Sequence, residues 1–402
     1  MKVKVWKLLG LIFIVIFAIS ATNAVHAAIT QLATPTTVPV GSAPQYLAYD
    51  SSKGEIFVTN QGDDTVSVIS DSTDTVVATV TVGQYPTGVA YDSSLGEVFV
   101  TNSGADTVSV ISDSTNQVVA TISVGSGPEG LAYDSGKGEI FVGNTNYDNS
   151  VSSTVDTVSV ISDSTNAVVA TINVEGGPTD LAYDPGKGEI FVSNELSSSI
   201  SVISDSSNAV VATATGVSAP EGLAYDSAKG EIFVANYNAA SVSVLSDKNN
   251  ARVATVSLSG YAGDPTGLVY DPAKGEIFET SSAGSTVFVI SDGNNAVVAT
   301  ATVGSLPLGI AYDSAKGEIF VVNSGDNTVS VISDSSSTSA SPSPTASTSA
   351  TPTSSPLATS TASASPTPTV PEFNCAALVS LTAAMVVVTL SAVALKVKKS
   401  RK

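Results

Sequence analysis

The sequence predicts an all-β fold: a closed seven-bladed β-propeller of four-stranded blades. Three observations predict it. A Tyr-Asp pair recurs at Tyr49-Asp50, Tyr91-Asp92, Tyr133-Asp134, Tyr183-Asp184, Tyr225-Asp226, Tyr270-Asp271 and Tyr312-Asp313, with spacings of 42, 42, 50, 42, 45 and 42 residues. That period belongs to propellers and solenoids. Within each unit, four short runs rich in Val, Ile, Phe and Thr alternate with Gly, Asp, Asn and Ser turns, and no run has helical apolar periodicity. The array also complements itself at its ends. The last unit stops after its third run, Thr328 to Ser333, whereas Thr34 to Val40 precedes the first unit and reads as a fourth. Pairing the two closes the ring and leaves no open edge at the junction.

Taken in order, residues 1–27 read as a secretory signal. Lys2, Lys4 and Lys7 precede an apolar run from Leu8 to Ile19, and Ala24-Val25-His26-Ala27 offers small residues at the cleavage positions. Residues 29–334 form the propeller. In the second unit its strands are expected at Gly88 to Tyr91, Glu97 to Thr101, Thr107 to Ser112 and Gln117 to Val124. Residues 335–371 contain only Ser, Thr, Pro and Ala apart from Leu357 and Val370. Such a composition buries no core and reads as a disordered stalk, about 115 Å long at full extension. Residues 372–402 combine an uncharged apolar run, 376–395, with a basic tail from Lys396 to Lys402. The run matches one bilayer, and the tail's charge orients it toward the cytoplasm.

Charge and composition exclude several functions. Between the terminal segments stand 35 acidic and eight basic residues, which rules out a nucleic-acid footprint. Cys375 is the only cysteine and His26 the only histidine, so once the signal is removed imidazole catalysis and His- or thiolate-ligated metal sites are absent. No cofactor is expected. Asp-rich turns such as Asp71 to Asp74 offer at most weak Ca²⁺ binding, because no loop has the required ligand pattern.

The repeats resemble the YVTN family of β-propeller repeats. The motif stands here as Phe57-Val58-Thr59-Asn60 and Phe99-Val100-Thr101-Asn102, with variants in the other units; the sixth, Phe278-Glu279-Thr280-Ser281, lacks the Asn. Likewise, Pro371, Glu372 and Phe373, set between stalk and apolar run, resemble the PEF-type sorting signals of archaeal surface proteins. These resemblances imply an extracellular propeller, an archaeosortase-like processing enzyme as a partner, and a membrane association through the C-terminal helix or a transferred lipid.

Length variation points to a binding face. The extra eight residues of the third unit lie between its second and third strands, at Thr145 to Asp156. The extra three of the fifth lie near Gly260 to Asp264. Both connection types emerge on one face of the ring, and variable loops on a rigid scaffold carry binding. The five tyrosines outside the repeated pair, Tyr46, Tyr85, Tyr147, Tyr237 and Tyr261, fall on that face, as do Glu129, Asp148, Asp180, Glu195, Glu221 and Asp264. The expectation is a non-enzymatic interaction module at the cell surface that binds an envelope polymer or protein. The alternatives are a surface-lattice subunit and a carboxylate-based enzyme of lyase, lactonase or glycosidase type, with Glu129 and Asp180 paired across the channel mouth. Phe57 and its equivalents are expected in the core, and Asn60 and its equivalents at strand ends satisfying backbone groups.

Overall fold

The repeated alternation of apolar strand and Gly/Asp turn builds seven antiparallel meanders. A computed structural model describes residues 29–146, 155–259 and 263–334. Blade 2 consists of Pro86–Asp92, Glu97–Asn102, Thr107–Ser112 and Gln117–Ser123, hydrogen-bonded in that order, and the other blades repeat the pattern. The first strand of each blade packs against the first strand of the next, and that of blade 7 against that of blade 1, so these strands wall a central channel and the ring is closed.

Closure follows the expected route. The N-terminal strand Thr36–Pro39 pairs antiparallel with Thr328–Ser333 and supplies the outer strand of blade 7. A second N-terminal strand was not foreseen. Thr30–Gln31 adds in parallel to the outer strand of blade 6, Ala296–Thr302, and Leu32 N–H donates to the Thr300 carbonyl at 2.8 Å. Leu32 is buried there against Phe278 and Ile319. Two residues carry too little periodicity to read as a strand; the blade edge that receives them makes them one.

The core lies between blades. Phe57, Val66 and Val68 of blade 1 pack with Val98, Val100 and Ile111 of blade 2, and the Phe of every unit is fully buried, as expected. Asn60 is buried too, and its amide donates to Thr65 Oγ1 and Ser67 Oγ at 3.1 and 2.9 Å. The Asn side chains thus chiefly bridge to hydroxyls of the following strand; backbone contacts, such as Gly83 N–H to Asn102 Oδ1 at 3.0 Å, come second.

The face opposite the variable loops is stitched by polar seams. Gly54, at φ 65°, turns the chain after Lys53, a conformation open to glycine, and its equivalents repeat it. Each Lys crosses to the next blade: Lys53 lies 3.3 Å from the Asp113 carboxylate and Lys316 lies 3.5 Å from that of Asp71. Asp71, in the Asp-rich turn named for weak Ca²⁺ binding, is thus the partner of Lys316. The phenols of the repeated Tyr face the Asp of the preceding blade; burial, together with that carboxylate, pushes Tyr91 and Tyr133 up to about 12.

Among the described residues no helix is long and apolar enough to cross a membrane. The expected signal, stalk, sorting motif Pro371-Glu372-Phe373 and span 376–395 all lie outside the described residues.

Candidate active site at the channel mouth

Each innermost strand opens with Pro-X-Gly or a close variant, and that pattern builds the site. Glycine at the third position allows neighbouring strands to approach: a Cβ on Gly88 would strike the Glu129 carbonyl, and one on Gly130 the Thr179 carbonyl. The second position turns inward, and Gln45, Glu129, Thr179, Glu221, Thr266 and Leu308 line a cavity of about 170 Å³, together with Tyr46 and Gly267. Glu129, Glu221 and Tyr46 were anticipated by their loop positions. Gln45, Thr179, Thr266 and Leu308 were missed. The signal was present in the sequence, because X is the variable residue within an otherwise repeated Pro-X-Gly.

Blades 1 and 4 depart from glycine, carrying Tyr46 and Asp180 at the third position. The Glu129–Asp180 pair named for the enzyme alternative does not share the cavity. The Asp180 carboxyl turns into the wall, where Oδ1 accepts from Leu181 N–H at 2.9 Å and Oδ2 from Leu223 N–H of blade 5 at 2.8 Å. Burial pushes its pKa up to about 6, against the pull of these two N–H groups. Thr179 Oγ1 donates to the Pro220 carbonyl at 3.2 Å. Blade 4 thus grips blade 5 on both sides of Glu221. The acid that shares the cavity with Glu129 is Glu221, and Asp180 positions it.

Glu221 is the most perturbed acid of the mouth. Burial, then the charges of Glu195 and Asp264, push it up to about 8. Burial raises Glu195 as well, and Tyr237 is raised by burial and by Asp264, Glu221 and Glu195. These four residues therefore share one electrostatic neighbourhood. Among the described residues no group of three acidic, His or Cys side chains converges tightly enough to hold a metal ion.

The other predicted residues take different places. Tyr85, in the left-handed region at φ 52°, is exposed and lies over Gly104. Leu196 and Leu306 are likewise exposed, each on a loop of a different blade. Tyr147, Asp148 and Tyr261 lie outside the described residues.

Residues 188–301 match the arylesterase family model. That span contains Glu221 and the three residues of its electrostatic neighbourhood, Glu195, Tyr237 and Asp264, and excludes Glu129 and Asp180. The expectation of a non-enzymatic module is corrected by this match, which points to an esterase-like hydrolase. Missing imidazole and thiolate leave open the carboxylate-based alternative, since a half-buried carboxyl near neutrality is itself an acid-base group. No curated protein matches the chain. Among solved structures, the hydrazine synthase of Kuenenia stuttgartiensis is similar in fold, with a TM-score of 0.65, 17% identity, and coverage of 74% of this chain and 97% of that one.

Proposed function

We propose that the chain is an esterase-type hydrolase working at the channel mouth, with Glu221 as the group that moves the proton. The observation that carries this reading is the place of Glu221, which lines the channel-mouth cavity within the arylesterase-like span, where burial and the charges of Glu195 and Asp264 push its pKa up to about 8. A general base or acid works best when its pKa lies near the working pH.

In its carboxylate form Glu221 takes a proton from water as the water oxygen bonds to the ester carbonyl carbon. The same proton then passes to the leaving alkoxide as the ester C–O bond breaks. Tyr46 and Gln45 line the same cavity and are the candidate donors to the tetrahedral oxyanion. A cavity of about 170 Å³ matches one aromatic ring or a short acyl chain, since about 150 Å³ accepts benzene. The substrate class is accordingly a small aryl or alkyl ester or a lactone.

Turnover of such esters should rise with pH through an apparent pKa near that of Glu221. Glu221→Gln should lose about 10²-fold or more. Asp264→Asn removes a negative neighbour, so the rise should move to lower pH. No turnover of any ester or lactone, or full activity in Glu221→Gln, refutes the reading.

Its setting is inferred from the terminal segments: secretion through residues 1–27 and display at the cell surface by stalk, sorting motif and span.

A further inference from the structure

Six of the seven seams between blades hold an ammonium group in the same way. Lys53, Lys137, Lys187, Lys229, Lys274 and Lys316 each donate to the backbone carbonyl of an Asp in the next blade. Each also stands 3.2–4.0 Å from that Asp's carboxylate. The seventh seam, between blades 2 and 3, has Leu95 at the lysine position. Leu95 is half-exposed and brings no charge.

The acceptors of that seam are nevertheless in place. Asp163 N–H donates to the Gly138 carbonyl at 3.0 Å, as Asp113 N–H does to Gly96. A Cβ on Gly138 would strike the Asp163 carboxylate, as one on Gly54 would strike that of Asp71. Asp92, fully buried like its equivalent in every blade and with an Oδ2 as unpaired as theirs, stands beside the Asp163 carboxyl, and the Tyr133 phenol donates to Ser94 Oγ at 3.0 Å. No ion pair to Asp163 forms among the described residues. Burial and the Asp92 charge both raise its pKa, and no lysine opposes them.

We propose that the seam between blades 2 and 3 is a cation site, seating a compact monovalent cation, in first place a primary ammonium, between the carbonyl and carboxylate of Asp163 and the carboxylate of Asp92. The chain displays an ammonium on the Asp163-type carbonyl and carboxylate six times, with a lysine as ligand. Replacing Lys by Leu removes the amine and leaves the oxygen cradle and the entrance along which a four-carbon stem would lie. Two carboxylates and one carbonyl suit a single positive charge; a divalent ion calls for six or more oxygens. The acidic charge of the surrounding ring draws cations toward it. The ammonium has two sources, a lysine side chain of a partner protein or a free ion such as ammonium or potassium.

The test is thermal unfolding of the intact chain at constant ionic strength. n-Butylammonium, ammonium or potassium chloride replaces tetraethylammonium chloride, whose bulk keeps it out of the cradle. The unmodified chain should gain about 2 °C or more, saturably. Leu95→Lys should melt higher from the start and show no response, because its own ammonium fills the site. Asp163→Asn should also show no response, which keeps the test decisive if Leu95→Lys folds poorly. A response to n-butylammonium alone supports a partner's lysine, and an equal response to ammonium and potassium supports a free ion. No response in the unmodified chain, or the same response in Leu95→Lys and Asp163→Asn, overturns the proposal.

Discussion

Replacing Glu279 by Val should stabilise the protein, and increasingly so as pH rises. Glu279 is fully buried between blades 5 and 6, and neither carboxyl oxygen makes a well-formed hydrogen bond, although the Thr266 N–H is close enough to pull its pKa down. It pairs across the sheet with Leu268 and Phe288. The equivalent residue in the other six blades is a buried Val: Val58, Val100, Val142, Val192, Val234 and Val321. Removing two unpaired carboxyl oxygens relieves about 2–4 kcal/mol. One additional methyl against the core adds about 0.8 kcal/mol. The smaller side chain leaves a void costing about 0.7 kcal/mol. The net gain at mildly acid pH is then about 2–4 kcal/mol.

Linkage adds a pH term with a definite sign. Burial raises the Glu279 pKa well above 4.5, so the folded chain holds a proton that the unfolded chain has lost. Its contribution is fully present below the unfolded pKa and is lost as pH rises toward the folded one. Across that window the unmodified chain loses about 1.4 kcal/mol per pH unit at this residue, and the Val variant loses none. The other raised carboxyls are common to both chains and cancel. Urea unfolding of both at pH 5, 6, 7 and 8 measures the difference. Parallel pH slopes, or a less stable variant, refute the reasoning.

Leu32→Ala should cost about 2 kcal/mol and free the parallel strand from blade 6, and an unchanged melting temperature would show that strand to be decorative. Gly222→Ala drives a Cβ into the Thr266 carbonyl at the channel wall; a loss of about 1–3 kcal/mol is expected in urea unfolding, with none if the strands can part freely. Asp180→Ala orphans the N–H groups of Leu181 and Leu223 and should cost about 2 kcal/mol, together with a fall in ester turnover because the strand carrying Glu221 loses its anchor. Asp180→Asn keeps an acceptor and should fall between the two; equal loss in both variants would assign the effect to charge instead.

Periodicity made the ring legible before any coordinates. The spacing of Tyr-Asp set the blade count, the incomplete last unit with the surplus strand at Thr36–Pro39 set the closure, and the apolar alternation placed Phe57 and its equivalents in the core. These are local facts, because a strand's pattern and a turn's glycine act within a few residues. The loop face was legible for a related reason: length variation appears in the chain itself. What the sequence could not order was contact across blades. Residues some forty positions apart meet at the channel mouth, so whether Asp180 faced Glu129 or the wall depended on Leu223 N–H arriving from the next blade. The pKa of Glu221 likewise depends on burial and on Glu195 and Asp264, which stand on other connections. The vacant lysine position at Leu95 reads in sequence as one substitution among seven. It becomes a cation cradle only because closure of the ring brings Asp163 of the following blade against Asp92.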